Sequence, residues 1–266
     1  MEIIGIDTLE FGIKYSEKDY NKFAKIVNLI DIHKQLAITS KEVQPLQIGD
    51  CLFNVQGYGA RNYTYVVNNT DFTVLFMDHL KITPDNPQIK IECSSQFLWK
   101  YGLEKAYSIC LDWLNSVVSF SELQPYNVIL SRADLAIDID SIEFKMQDLD
   151  YFSTRIRSKD AHIGVHQEGK KFTGFSFGKG AAMCRIYNKS IEIEKSNKAE
   201  FFNQIWNNYN RDKSKDVWRI EFQYRREFLK SIGILNPESL IVNLKSLFLF
   251  SVGQVGSIKN GFVTLK

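Results

Sequence analysis

Hydrophobic and polar residues alternate in several short runs of this chain, and this pattern predicts many β-strands. Residues two apart in a strand share a face, so an alternating run separates its polar from its apolar side chains. Apolar residues spaced three and four apart indicate helices between these runs. The predicted strands cover residues 3–14, 62–67, 72–77, 88–93, 127–139, 162–166, 172–177, 183–188 and 217–224. Predicted helices cover residues 96–118, 149–156, 190–209 and 237–250. Another helix is predicted to begin after residue 19, and a further one to include Phe228.

The order of these elements predicts an α+β fold. Strands that follow one another directly favour a largely antiparallel sheet with flanking helices. Residues 68–71, Asn-Asn-Thr-Asp, are typical of a hairpin turn. Each half opens with a strand, a helix and several strands, which indicates two similar halves. We therefore predict an N-terminal α+β half (1–120), a catalytic α+β half (121–230) and a helical C-terminal extension (231–266).

Three predicted strands share a motif. It consists of an arginine, one intervening residue and a carboxylate or phenol side chain. The motifs are Arg132-Ala133-Asp134, Arg185-Ile186-Tyr187 and Arg219-Ile220-Glu221. Within each strand the arginine and the reactive side chain lie on one face. If the strands are neighbours, carboxylates, guanidiniums and one phenol converge on one face of a sheet. Such a set is suited to metal-assisted attack on a phosphodiester.

Asp134 and Asp138 cannot both bind one metal ion if they lie on one regular strand. A strand rises ~3.3 Å per residue, which separates them by ~13 Å. Oxygen ligands of Mg²⁺ or Ca²⁺ lie within ~2.6 Å of the ion. Glu221, from another strand, is therefore the preferred partner of Asp134, and Asp138 is the second candidate. The alternative for all three is a solvent-exposed sheet face with ladders of charge.

Tyr187 is the candidate nucleophile. A phenol attacks poorly at neutral pH because its pKa is about 10. Nearby cations favour the phenolate, and Arg185 and Lys189 are predicted to share the strand face of Tyr187. The arginines of the three motifs, together with Arg225, could clamp phosphates or stabilise the crowded carboxylates. The sequence leaves both roles open.

Composition and charge describe a globular protein. The chain has 266 residues, 44% of them hydrophobic and 24% charged, with a formal net charge of +2. That charge excludes a histone-like polycation but allows a local basic patch, and basic residues cluster in 211–230. The four cysteines form no Cys-x-x-Cys knuckle and no dense disulfide framework. No signal peptide or membrane-length apolar run is present, so we expect a reducing, cytoplasmic location.

Two other motifs have a simpler explanation. His162 and His166 would lie ~13 Å apart on one strand, which favours exposed histidines over a shared metal. Residues 174–180 look like a phosphate-binding loop, but the spacing is one residue short. Gly180 also stands where a serine or threonine should follow the lysine. A tight turn explains these glycines, and nucleotide hydrolysis is not expected.

The three arginine motifs also resemble those of a known family. It comprises the rolling-circle replication initiation proteins of bacterial plasmids and phages, called the replication initiation factor or Rep_trans family, to which relaxases of integrative elements are related. The resemblance rests on residues 132–138, 185–189 and 218–225, with an opening strand at 6–11. The match Arg185-Ile186-Tyr187-Asn188-Lys189 is the most specific part of it.

This resemblance implies a Mg²⁺- or Mn²⁺-dependent enzyme that nicks and rejoins DNA at an origin. Its tyrosine would attack the scissile phosphate, which links the protein to the DNA 5′ end and frees a 3′ hydroxyl that primes synthesis. We expect the catalytic residues to be Tyr187, Arg185, Lys189 and Arg219, the metal ligands to fall within Asp134, Asp138 and Glu221, and the DNA-binding residues to be Arg132, Arg225 and Arg226.

The partners implied by the resemblance are the origin DNA, a host helicase and a second copy of the chain, with no membrane. The origin DNA would present a single-stranded or cruciform nick site. Three alternatives stay open at this point. They are a relaxase for element transfer, a DNA-binding regulator that keeps the sheet but not the chemistry, and a hydrolytic nuclease that uses water on the same metal.

Overall fold

The computed structural model of the chain describes residues 1–78, 80, 86–120, 127–152 and 162–255. The chain divides into two compact units, and each contains paired β-strands. Unit 1 comprises Met1–Ile6, Ala133–Ile232 and Val242–Lys266, and unit 2 comprises Asp7–Arg132 and Gly233–Ile241. The division into residues 1–120, 121–230 and 231–266 stays a prediction.

Unit 2 contains most of the first half of the chain. Its elements are β1 (Glu2–Ile13), the 3-10 turn Glu17–Asp19, α1 (Tyr20–Ser40), β2 (Gln44–Ile48), β3 (Cys51–Val55), β4 (Tyr65–Asn68), β5 (Phe72–Phe76), β6 (Ile89–Cys93), α2 (Ser95–Tyr101) and α3 (Leu103–Val118). Strand β1 contributes its first residues to unit 1. The strands of unit 2 lie in the order β2-β3-β4-β5-β6-β1, and each neighbouring pair is antiparallel.

The hairpin of β4 and β5 forms where the sequence predicts it. The side chain of Asn69 accepts hydrogen bonds from the backbone N–H groups of Asp71 and Phe72, each at 2.9 Å. An asparagine that bonds the backbone following it mimics a backbone turn and holds it closed. The two strands therefore pair across a short connection, with Asn68 opposite Thr73.

The single helix predicted over residues 96–118 is wrong, because α2 and α3 meet at Gly102. The backbone of Gly102 has a φ of +76°, and its N–H donates to the Leu98 carbonyl. A residue at positive φ ends a helix, and glycine adopts that conformation at little steric cost. The start of α2 is also fixed locally, since the Ser94 hydroxyl accepts from the N–H of Phe97 at 3.2 Å.

Unit 1 contains most of the second half of the chain. Its elements are β7 (Val128–Ile139), the 3-10 turn Met146–Tyr151, β8 (Ile163–Glu168), β9 (Lys171–Lys179), β10 (Ala182–Asn188), α4 (Lys189–Lys195), α5 (Ala199–Asn207), β11 (Trp218–Arg225), α6 (Arg226–Ser231) and α7 (Pro237–Val255). The first residues of β7 and of α7 belong to unit 2. The strands of unit 1 lie in the order β7-β11-β10-β9-β8. The predicted α+β class, with a largely antiparallel sheet and flanking helices, is confirmed.

Two predicted helices of this half differ from the observed ones. The helix predicted over 190–209 is divided into α4 and α5, and between them Asn197 has a φ of +56°. Such a left-handed residue interrupts helical hydrogen bonding. In place of the helix predicted over 149–156, the chain forms the 3-10 turn Met146–Tyr151, and Ile156 lies outside the described residues.

Helix α7 packs on strand β11 within unit 1. The Tyr224 hydroxyl donates to Ser251 Oγ at 2.7 Å, and Ser251 donates to the Leu247 carbonyl at 2.5 Å. Burial raises the pKa of Tyr224 to about 12, so the phenol keeps its proton and remains a donor. None of the helices in the described part of the chain combines the length and apolar character that crossing a bilayer requires.

The two units repeat one strand order. In each, the first strand lies beside the last and the others follow in reverse, as β1-β6-β5-β4 and as β7-β11-β10-β9. A tryptophan also donates to an aspartate of the first strand in each unit, from Trp99 to Asp7 and from Trp206 to Asp138. Unit 2 has a charged cluster on its sheet, where Lys90 lies 2.6 Å from both Glu10 and Glu92. These repeats support the interpretation of two similar halves.

Candidate active site

Strands β10 and β11 bring two of the three arginine motifs side by side. In their antiparallel register, Arg185 lies opposite Glu221 and Tyr187 lies opposite Arg219. Residues directly opposite one another on neighbouring strands share a face of the sheet. The prediction that these four side chains lie on one face is therefore confirmed.

Glu221 joins the phenol to a guanidinium. The Tyr187 hydroxyl donates a hydrogen bond to Glu221 Oε2 at 2.8 Å, and Arg185 Nη2 pairs with the other oxygen, Oε1. Glu221 is only 3% exposed, whereas Tyr187 is half-buried. A carboxylate in such a buried position needs charged or donor partners to remain ionised. Both of its oxygens have one.

Asp134 reaches this cluster from β7. Its Oδ2 lies 3.6 Å from Arg185 Nη2, and its side chain has no exposed surface. Arg185 therefore bridges two carboxylates from different strands, those of Asp134 and Glu221. The predicted convergence of these two carboxylates is confirmed, because both contact the same guanidinium.

Asp138 and Arg219 form a separate buried ion pair. The Nε of Arg219 donates to Asp138 Oδ1 at 2.6 Å, and Nη2 donates to Oδ2 at 2.8 Å. Trp206 Nε1 also donates to Oδ2, at 2.8 Å. Neither charged side chain has any exposed surface. This arrangement satisfies both carboxylate oxygens without a metal ion or DNA.

Helix α5 explains why that pair is shielded. The Arg219 guanidinium lies 5.1 Å from the centre of the Phe202 ring, and both Phe202 and Trp206 are fully buried. Strand β7 is buried on both faces from Ala133 to Ile139, so the alternative of a solvent-exposed charge ladder is excluded for this strand. Asp138 as a metal ligand and Arg219 as a catalytic residue stay predictions, and this geometry disfavours both.

Lys189 is also more enclosed than the strand pattern suggests. It is the first residue of α4 and is 2% exposed, and its ammonium pairs with Glu192. The ammonium lies over two aromatic rings, 5.6 Å from the centre of Tyr187 and 4.8 Å from the centre of Phe202. Its contact with Tyr187 is therefore with the face of the ring, where a cation is attracted electrostatically. That position suits a residue that orients the phenol.

The predicted DNA-binding arginines lie in different surroundings. Arg132 belongs to unit 2, where its Nη1 lies 3.4 Å from Glu10 Oε1. Arg225 is exposed at the end of β11, and Arg226 begins α6, where burial lowers its pKa. Their contacts with DNA stay predictions.

Cys184 directly precedes Arg185 in sequence but faces the other side of β10. It is buried opposite Phe222, whereas its neighbour Arg185 lies opposite Glu221. Burial, reinforced by the negative charge of Glu221, raises the pKa of the Cys184 thiol. A buried neutral thiol is a poor nucleophile. Cys184 is therefore not an alternative to Tyr187 as the candidate nucleophile.

Sequence reasoning missed the residues that extend the site across β9 and β8. Ser176 lies opposite Arg185, and Gly174 lies opposite Tyr187. On the next strand, His166 lies opposite Gly174, and its Nε2 is 3.0 Å from Ser176 Oγ. The sequence indicates only an exposed strand histidine, and it does not reveal which residues of the neighbouring strands lie opposite it.

The residues that could hold a metal are fewer than expected. Among the described residues, no group of three or more His, Cys, Asp and Glu side chains has an arrangement that could hold an ion. Asp134 and Glu221 do come together around Arg185, and Asp138 is engaged with Arg219. Mg²⁺ is often bound through one or two carboxylates, with water and substrate phosphates completing its shell. Asp134 and Glu221 fit that type of site.

Comparison with known proteins shows a shared fold. No family model matches the chain. No curated protein matches it either. Among solved structures, the rolling circle replication initiator protein from Geobacillus stearothermophilus is similar, with a TM-score of 0.51 and 15% identity over 100% of this chain and 90% of that chain. The two proteins share a fold. This shared fold agrees with the α+β class predicted from the sequence.

Proposed function

We propose that this chain is a DNA nicking and joining enzyme with Tyr187 as its nucleophile. The observation that carries the proposal is the hydrogen bond of 2.8 Å from the Tyr187 hydroxyl to Glu221 Oε2. A phenol that already donates to a carboxylate has a proton acceptor in position before it attacks. Tyr187 is only half-buried, so part of the residue is accessible to solvent.

The proposed cleavage exchanges one phosphoester bond for another. The Tyr187 oxygen forms a bond to the scissile phosphorus, the bond from phosphorus to the 3′ oxygen breaks, and the phenol proton passes to Glu221 Oε2. The 3′ oxygen takes up a proton and becomes a free hydroxyl. The 5′ side of the DNA stays attached to Tyr187. Rejoining reverses these steps, so the energy of the phosphodiester is retained in the protein–DNA bond.

Arg185 is the residue best suited to receive the phosphate. Its side chain is 36% exposed, which makes it the most accessible member of the cluster with Asp134 and Glu221. Its Nε is buried and has no hydrogen-bond partner among the described residues. Contacts between arginine and phosphate are charge-assisted and often use two nitrogens. Arg185 would therefore hold the phosphate beside the Tyr187 hydroxyl and balance the charge that develops there.

The proposal includes Mg²⁺ or Mn²⁺ held by Asp134 and Glu221. A divalent ion at these carboxylates would neutralise phosphate charge. Arg185 lies between the same two carboxylates, so the ion and the guanidinium would share them. Asp138 is left out of this set, because Arg219 and Trp206 already occupy its oxygens.

The shared fold supports a role in the initiation of rolling-circle replication. The similar structure is that of a replication initiator protein, and the similarity covers 100% of this chain. We propose that the substrate is origin DNA with a single-stranded or cruciform nick site. A host helicase and a second copy of the chain are further proposed partners. A relaxase for element transfer would use the same chemistry on a different DNA site.

The proposed function is tested by trapping the covalent product. The protein is incubated with Mn²⁺ and single-stranded DNA from the neighbourhood of its gene, labelled on the 3′ side of the nick, and is then denatured. We expect label to migrate with the denatured protein. Free 5′ phosphates without attached protein would indicate a hydrolytic nuclease. Metal-independent binding without cleavage would indicate a DNA-binding regulator, and either result overturns the proposal.

Replacing Glu221 with glutamine is expected to slow adduct formation by ~10²-fold or more, because the amide can neither take the Tyr187 proton nor supply a charged ligand to the metal. The change keeps the size of the side chain and leaves an oxygen that can accept from the phenol. The rate is measured from single-turnover formation of the protein–DNA adduct. Glu168→Gln is the matched control, because it makes the same change at a side chain that is 52% exposed. A Glu221→Gln variant with the normal rate would contradict the role of Glu221 as proton acceptor.

Metal dependence is tested through Asp134. Asp134→Asn is expected to raise the Mn²⁺ concentration needed for half-maximal nicking by at least about tenfold, because a ligand charge is lost. Isothermal titration calorimetry with Mn²⁺ on the protein alone should show the same weakening without relying on activity. Asp138→Asn should leave the calorimetric affinity unchanged. If Asp138→Asn instead weakens binding and Asp134→Asn does not, our choice of ligands is wrong.

A further inference from the structure

A row of residues runs across three strands of unit 1 and ends at the candidate nucleophile. His166 of β8 lies opposite Gly174 of β9, and Gly174 lies opposite Tyr187 of β10. Directly opposite residues share a face, so His166 and Tyr187 stand on the same side of the sheet. They are two strand spacings apart, which is about 10 Å between their backbones.

Gly174 keeps the middle of this row free of a side chain. A Cβ at this position would lie 2.1 Å from the Ile186 carbonyl oxygen and 2.8 Å from the Cα of Tyr187. The backbone of Gly174 also has a φ of +152°, which side chains rarely allow. A glycine within a strand often marks a place where another backbone approaches closely, and here that backbone is β10. Gly174 therefore places no side chain between the imidazole and the phenol.

His166 is exposed, and its orientation is fixed by a hydrogen bond. Its Nε2 lies 3.0 Å from Ser176 Oγ, and Ser176 lies opposite Arg185. The serine hydroxyl can bond one ring nitrogen and leave the other, Nδ1, for a substrate. The imidazole thus contacts the residue opposite Arg185 on β9, whereas Glu221 lies opposite Arg185 on β11.

A separation of two strand spacings leaves room for a phosphodiester between two side chains on one face. In an in-line displacement, the leaving oxygen departs on the side opposite the attacking oxygen. The attacking oxygen approaches phosphorus to about 3 Å, and a hydrogen bond to the leaving oxygen spans about 3 Å more. With one phosphorus–oxygen bond between them, the two side-chain ends need a gap somewhat shorter than the backbone spacing. A general acid for the leaving oxygen belongs at the place where His166 lies.

We propose that His166 is a second catalytic residue, which donates a proton from its imidazolium to the 3′ oxygen as the bond from phosphorus breaks. This inference rests on the proposed function. During cleavage one proton moves from Tyr187 to Glu221 and another from His166 to the 3′ oxygen. During rejoining, the neutral imidazole takes the proton back from the 3′ hydroxyl. The DNA segment with the 3′ end then lies over β9 and β8, and the attached 5′ segment lies toward β10.

The test compares two substrates that differ in one atom. One is the ordinary oligonucleotide, and the other has sulfur in place of the 3′ bridging oxygen at the nick. A thiolate leaves without a proton, so this substrate does not need a general acid. We expect His166→Gln to slow adduct formation on the oxygen substrate by ~10²-fold, and on the sulfur substrate by less than about tenfold. Ser176→Ala should give a smaller loss that sulfur also restores.

Two results would overturn the inference while the proposed function stands. One is an equal loss for His166→Gln on both substrates, which would mean that the histidine binds DNA or supports the fold. The other is no loss on the oxygen substrate. His162→Gln is the matched control, since it removes an exposed histidine four residues away. If the unchanged protein forms no adduct with either substrate, the proposed function itself fails.

Gly164→Ala provides a variant that keeps both partners of the histidine contact. A Cβ at position 164 would lie 2.5 Å from Ser176 Oγ and 3.3 Å from His166 Nε2. The added methyl group should therefore displace the pair without removing either side chain. We expect a loss on the oxygen substrate that sulfur restores, as for His166→Gln. A loss on both substrates would again point to a structural role.

Discussion

Tyr187→Phe abolishes the covalent protein–DNA adduct, and this is the largest effect that we expect on activity. The substitution removes the attacking oxygen and leaves the ring under the Lys189 ammonium, 5.6 Å from the ring centre. The folded state loses a hydrogen bond to a charged group, Glu221, which is worth roughly 1.5–3 kcal/mol. The fold should therefore persist with a lowered melting temperature. Adduct formation is measured on a denaturing gel with labelled origin DNA.

The control for this experiment is another tyrosine in the same unit. Tyr209, which follows α5, is 55% exposed, so Tyr209→Phe should leave the adduct yield unchanged. DNA binding by Tyr187→Phe should also persist and should weaken as salt is added, because phosphate contacts release counterions. An adduct that survives in the Tyr187→Phe protein would show that a different residue attacks the DNA.

Asp138→Ala lowers the stability of the protein by about 3–5 kcal/mol, and this is the largest effect that we expect on folding. The substitution leaves the Arg219 guanidinium charged, fully buried and without its carboxylate. It also removes the acceptor of Trp206 Nε1. Native domains are stable by only about 5–15 kcal/mol, so such a loss consumes much of the total. Urea unfolding followed by far-UV circular dichroism measures it.

Further variants distinguish a loss of stability through the broken ion pair from a loss of metal binding. Arg219→Ala should destabilise the protein to a similar extent, and the double variant should lose less than the sum of the two, because the residues act as a pair. Glu168→Ala removes an exposed partner of Lys195 and should change stability little. If Asp138→Ala keeps its stability but needs more Mn²⁺ for nicking, Asp138 is a metal ligand after all.

Alternation along the chain predicted which side chains share a face of each strand. It assigned Arg185 and Tyr187 to one face of β10 and Glu221 to one face of β11, and the observed register agrees. This succeeds because a strand has a period of two, so the face of each residue follows from its position alone. The hairpin at residues 68–71 was predictable for a similar reason, since Asn69 forms a turn through its own local bonds.

The choice of partner could not be predicted in the same way. Asp134 and Asp138 lie on one strand with the same alternation, yet Asp134 contacts Arg185 and Asp138 contacts Arg219. Which arginine each aspartate meets depends on the register between strands that are distant in sequence. The cover of helix α5, through Phe202 and Trp206, is likewise a tertiary effect. The hydrophobic and polar pattern of a sequence does not contain the register between distant strands or the packing of a helix on them.

The position of His166 depends on one β-bulge that the sequence does not reveal. Strands β8 and β9 form a hairpin in which Glu168 lies opposite Lys171. Counting back from that pair without a bulge would set His166 opposite Thr173. A register shift between His166 and Gln167 instead sets it opposite Gly174. A slip of one residue moves side chains to the other face, so the bulge decides that the histidine faces the phenol.

The repeated strand order gives the chain a counterpart of the site that lacks the attacking group. Strand β5 holds the place in the strand order of unit 2 that β10 holds in unit 1, and its residues Phe72–Phe76 include no tyrosine. Under the proposed function, each polypeptide would therefore carry one DNA terminus at a time. A strand-transfer cycle that requires two termini to be held together would need two polypeptides.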